Sequence, residues 1–99
     1  MITAFVLVKA AGDVIPEVAK GIAAIPGVTE VYSVTGDVDL VAMVRVREHE
    51  HLADVIADRL SKVPGVLGTH THIAFRAYSA HDLDAAFALG YDEEDPKRA

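Results

Sequence analysis

There is no cysteine in the chain. Disulfides and thiolate metal centres are therefore excluded, and nothing requires an oxidising compartment. Basic charge is also scarce: 9 Lys and Arg face 15 Asp and Glu, a net charge of -6. Such a chain lacks the basic face that displaces counterions from nucleic acid, so neither direct nucleic-acid binding nor attachment to an anionic membrane is expected. No apolar run approaches the ~20 residues of a membrane span. Ile2 to Val8 is apolar, but no basic region precedes it and Lys9 closes it after one strand's length, unlike a secretory signal. A cytoplasmic location is the expectation. The Gly-x-Ser-x-Gly elbow, the phosphate loop and the dinucleotide fingerprint are missing too. Ser33, Ser61 and Ser79 have no distinctive setting. No catalytic residue and no cofactor is expected.

What the chain does have is apolar residues, 52% of 99, above the roughly 45–50% of an ordinary domain. They fall into patterns. Ile2–Val8 reads as a strand apolar on both faces. Gly12-Asp13 marks a helix start, with Asp13 as the expected N-cap and Pro16 in the first turn. Ile15, Val18, Ile22 and Ile25 form one helical stripe, stopped by Pro26-Gly27. Val28–Thr35 and Val38–Val46 are the second and third strands, with Gly36-Asp37 as the turn signal between them. A second helix is expected over Glu48–Ser61 on the stripe Leu52, Val55, Ile56 and Leu60, stopped by Pro64-Gly65. Val66–Tyr78 is the last strand.

Ile25-Pro26-Gly27-Val28 and Val63-Pro64-Gly65-Val66 repeat one another. Each ends a helix and opens a strand, which gives β-α-β-β-α-β, an α+β ferredoxin-like plan with a four-stranded antiparallel sheet and two helices on one face. Residues 1–78 make this domain. Residues 79–90 are expected to add a short C-terminal helix (Asp82–Leu89), and residues 91–99 a flexible tail. Two helices cover only one face of a sheet. Val41 and Met43 on the third strand, and Phe5 and Leu7 on the first, need cover from elsewhere. A two-fold homodimer with sheets face to face, a dimeric α/β barrel, is the simplest closed solution.

Chemistry gathers in two places. Gly36-Asp37-Val38-Asp39 can be a plain turn. The same residues can receive a zwitterion such as an amino acid, because glycine lets a ligand approach backbone N–H groups and a carboxylate such as Asp39 pairs with an ammonium. On the last strand, alternation puts Thr69 and Thr71 on one face and His70 and His72 on the other. The threonines can orient a polar ligand, or can simply be good strand residues. The histidines form an H-x-H pair that could hold zinc or copper only with a further ligand, so no metal site is assigned. His49 and His51 are not one helical turn apart and do not pair.

Taken together, Val34-x-Gly36-x-x-Asp39-Leu40, the amphipathic helix, Val63-Pro64-Gly65-Val66 and Thr69-x-Thr71 resemble the effector-binding RAM domain of the Lrp/AsnC regulators, over about residues 1–78. The resemblance implies a ferredoxin-like fold, dimers through the sheet face that often assemble to octamers, and amino acids or related effectors bound between subunits. It implies Gly36, Asp37, Val38 and Asp39 as loop contacts, Thr69 and Thr71 as polar contacts from the last strand, and Ile73 as an apolar wall. Family members often carry an aromatic residue where this chain has Val38, which implies a larger or differently selective pocket. Family regulators also carry an N-terminal helix-turn-helix, whereas this chain starts directly in its first strand. The expectation is an oligomeric, non-enzymatic sensor, with a full-length Lrp/AsnC regulator as a further partner. The alternatives are a monooxygenase-like dimeric α+β barrel enzyme, and a metal-binding oligomer built on His70 and His72.

Overall fold

The computed structural model describes residues 1–78 and Ala80. The elements run β1 (Ile2–Ala10), α1 (Ile15–Ala23), β2 (Val28–Ser33), β3 (Leu40–Val46), a second helix beginning as α2 (His49–Ala53), and β4 (Val66–Ile73). All strand pairs are antiparallel, in the order β2-β3-β1-β4. This is the ferredoxin-like α+β plan. The segments expected at 82–89 and 91–99 lie outside the described residues. Among the described residues no helix is long and apolar enough to cross a membrane.

Strand alternation builds the core. Ala4, Val6, Val8 and Ala10 of β1 and Leu40, Ala42, Val44 and Val46 of β3 are buried on one sheet face. The register sets Ala4 beside Val44 and Val6 beside Ala42, so at each of these pairs a small side chain faces a larger one. Val18 and Ile22 of α1, with Leu52, Val55 and Leu60 of the second helix, complete this core.

The two Pro-Gly turns dock reciprocally. Both glycines have positive φ, 101° at Gly27 and 97° at Gly65. A Cβ on Gly27 would stand 3.0 Å from Val55 of the second helix, and one on Gly65 would stand 2.6 Å from Val18 of α1. Each half of the chain thus ends its own helix with a glycine that fits under the other half's helix. The backbones tie in the same way: Arg45 N–H donates to the Gly27 carbonyl and Ala11 N–H to the Gly65 carbonyl.

Several boundaries depart from the sequence reading. Asp13 does not cap α1. The N-cap is Val14, with no side-chain cap bond, and the first turn instead rests on the Val18 N–H to Val14 carbonyl bond. The second helix does not remain α-helical. After α2 it continues as π turns over Asp54–Arg59 and closes in a 3-10 turn over Leu60–Lys62. The buried positions explain this. Leu52, Val55 and Leu60 stand at steps of three and five, and an i→i+5 turn returns Leu60 to the side of Val55. The last strand ends at Ile73 rather than Tyr78. Ala74 still donates to the Thr3 carbonyl, but Phe75, inside the expected strand, is 98% exposed.

The other sheet face is open. Across the four strands one row reads Tyr32, Val41, Leu7, His70, and the next reads Glu30, Met43, Phe5, His72. Its middle is apolar and its two edges are polar. Phe5 is 37% exposed and Tyr32 50%.

Candidate functional site

The loop between β2 and β3 is pinned to the end of β1. Val34 N–H donates to the Asp39 carbonyl across the loop at 3.0 Å, and Asp39 N–H donates to the Val8 carbonyl at 2.9 Å. The Asp39 carboxylate accepts the Ala10 N–H at 2.9 Å through Oδ2. The Lys9 ammonium donates to the Asp37 carbonyl at 3.0 Å. β1 twists away here, because its register with β4 slips between Lys9 and Ala10. The bulge frees the Ala10 N–H from the ladder, and Asp39 satisfies it. Gly36 makes the turn with φ 113°, and a Cβ added there would meet nothing within 4 Å. Conformation alone demands this glycine, and the space over its backbone is open.

That docking brings some of the expected residues together. Val38 and Thr69 share an open cavity of about 240 Å³ with Leu7, Lys9, Gly68 and His70. Gly36, Asp37 and Asp39 hold the loop beside it without lining it. Thr71 and Ile73 stand elsewhere. They line a second, largely apolar cavity of about 330 Å³ against the second helix, with Leu52, Ala53, Ile56 and Ala57. The expected residues therefore fall into two separate places along β4, one cavity at the loop and one at the helix.

Lys9 is the residue that sequence reasoning missed. It looked like the end of a strand, and only the β1–β3 register places it at the loop. Among the described residues it supplies the only ammonium lining the loop cavity, with one donor on Asp37 and two more to offer. Asp39 keeps Oδ1 without a hydrogen-bond partner among the described residues.

The ring of His70, at the loop cavity, stacks on that of His72, centroids 5.4 Å apart and 29° between planes. Among the described residues no group of three or more His, Asp or Glu could hold a metal ion. On the opposite edge the Tyr32 hydroxyl donates to Glu30 Oε1 at 2.6 Å. That bond, together with the charge of Glu30, raises the Tyr32 pKa above its ordinary value.

Comparison with known proteins gives a consistent picture. The family description that matches is the Lrp/AsnC ligand binding domain, over residues 3–83. The HTH-type transcriptional regulator FL11 of Pyrococcus horikoshii is 40% identical over 75 residues, 76% of this chain and 49% of the regulator. The HTH-type transcriptional regulator LysM of Saccharolobus solfataricus is 37% identical over 78 residues, 78% of this chain and 54% of the regulator. The chain thus spans about half the length of the curated relatives it matches. Among solved structures, TTHA0845 from Thermus thermophilus is 48% identical with a TM-score of 0.75, covering 80% of this chain and 99% of that one. A feast or famine regulatory protein from M. tuberculosis, complexed with L-methionine, is 26% identical with a TM-score of 0.64, covering 81% of this chain and 54% of that one.

Proposed function

The chain belongs to the Lrp/AsnC ligand-binding-domain family, and on that premise we propose that it is a sensor of an amino acid or a related small metabolite, bound at the Gly36–Asp39 loop and read out through assembly. This family consists of ligand-binding domains of transcription regulators, not of enzymes, so the monooxygenase-like reading falls away. The observation that carries the proposal is the loop cavity. Val38, Thr69 and Lys9 line it together, although they lie far apart in the chain.

In this reading the ligand's side chain lies against Val38 in the cavity and its polar end reaches the cavity's edge, where Lys9 receives the carboxylate and Asp39 Oδ1, beside the cavity, receives the ammonium. The cavity is open, so a neighbouring subunit closes it. Thr71 and Ile73, in the helix-side cavity of the same strand, then serve a site completed across an interface. The open sheet face supports a two-fold dimer. Phe5, Leu7, Val41 and Met43 supply its apolar centre, and burying about 800 Å² per partner is ordinary for a stable pair. Higher assembly to an octamer follows the family pattern. With a net charge of -6, the chain acts on transcription in the cytoplasm through protein contact, by joining a full-length regulator of the same family.

The test is a thermal-shift screen of the twenty amino acids beside light scattering, with L-methionine among the first. A selective ligand at about 100 times its Kd adds roughly 2.7 kcal/mol of stability and raises the midpoint. A flat screen on a folded oligomer would sink the amino-acid reading.

A further inference from the structure

We propose that the cavity between the second helix and the end of β3 binds a small monocarboxylate with an apolar tail, at a site separate from the loop and independent of the reading above. The cavity is an open cleft of about 300 Å³. Its floor includes the buried Val46 and Val55, and its rim carries Arg47, His51, Asp54 and Arg59.

Local structure puts those groups there. Val46 points into the core as the last residue of β3, and Arg47 follows it at the cavity mouth. His51, Val55 and Arg59 stand four apart along the second helix, so they share one side of it. The π turns over Asp54–Arg59 bring residues five apart into line as well, which adds Asp54 to the same side as Arg59.

Charge and satisfaction then select the ligand. Two arginines against one aspartate leave the rim positive even with His51 neutral, in a chain that is otherwise acidic. Among the described residues neither guanidinium donates a hydrogen bond. Each offers five N–H donors in a planar fork that matches a carboxylate, and charge-assisted bidentate pairs of this kind are the strong ones. Asp54 at the rim repels a multiply charged anion, which favours a single negative charge. Val46 and Val55 offer no donors to a phosphate, but they suit an alkyl group. An anionic head at the arginines with a branched apolar end on the valines satisfies both halves of the cavity.

The experiment uses isovalerate as probe, with its neutral analogue isovaleramide and inorganic phosphate as comparisons, followed by amide chemical shifts of the labelled protein. Isovalerate should shift the amides of Gly27, Val46 and Val55 saturably at millimolar concentration, and isovaleramide should not. The double substitution R47A/R59A should weaken binding roughly ten- to a hundredfold, while R47K/R59K retains part of it. K62A, which removes an exposed positive charge outside the cavity, should leave it unchanged. If the alanine pair does not fold, R47Q/R59Q reports the same loss. No saturable shift, equal binding of the amide, equal binding by the charge-removed variant, or phosphate binding in place of isovalerate would each overturn the assignment.

Discussion

Replacing Asp39 separates two roles that one carboxylate can hold. Its Oδ2 accepts the Ala10 N–H at 2.9 Å, and Ala10 is 4% exposed. Asp39→Ala leaves that N–H without a partner at a strand bulge that water reaches poorly. An unsatisfied buried donor costs about 1–3 kcal/mol, and in a domain of this size each kcal/mol lowers the midpoint by roughly 4–8 °C. Asp39→Asn keeps an oxygen acceptor at the same reach and loses only the charge, so its cost should stay near or below about 1 kcal/mol. The assay is urea unfolding of the ligand-free protein at one fixed protein concentration, because assembly would otherwise shift the midpoint. Alanine should fall well below the wild type and asparagine close to it. An Asp39→Ala midpoint equal to wild type would refute the docking role. Ligand affinity measured on the asparagine variant then isolates the charge. A loss of about tenfold or more points to an ammonium partner, whereas unchanged affinity makes Asp39 a purely structural anchor.

Other perturbations follow from the same geometry. Gly65→Ala should destabilise more than Gly36→Ala in urea titrations. Both incur backbone strain of about 1–2 kcal/mol, but only Gly65 also drives a Cβ to 2.6 Å from Val18 and 2.9 Å from Val14, an overpacking worth about 1–3 kcal/mol more. Leu7→Asp or Met43→Asp on the open sheet face should shift light-scattering mass toward monomer while far-ultraviolet circular dichroism is retained; an unchanged mass would remove that face as the dimer interface. Tyr32 should titrate above an ordinary tyrosine by ultraviolet absorbance, and Glu30→Gln should bring it back down. Because the folded-state pKa is raised, whatever stability this pair contributes is present below the ordinary tyrosine value and is lost as pH rises through the raised one.

Much of the architecture was legible in local pattern because the relevant forces act over a few residues. Two-residue alternation in β1 and β3 assigns Val6 and Leu40 to one face and Leu7 and Val41 to the other before any contact is known. Pro-Gly ends a helix wherever it occurs. The capping expectation failed for a related reason: Asp13 has the right chemistry, but the helix begins at Ile15, which leaves Val14 in the cap position. The π turns were invisible as well, because an α-helical stripe and a three-then-five spacing differ only once Leu60 must reach the core.

By itself the sequence determined the element types, their order, the face each apolar residue takes and the doubly apolar sheet that calls for cover, since periodicity and turn chemistry are properties of neighbouring residues. The tertiary structure alone decided which distant residues come together. Lys9 meets Asp37, the Ala10 N–H meets Asp39, and Val38 shares a cavity with Thr69 because the β1–β3 and β1–β4 registers bring distant residues side by side. The same registers part Thr71 and Ile73 from that loop along β4. Register is set by packing the whole core at once, so no short stretch of residues encodes it.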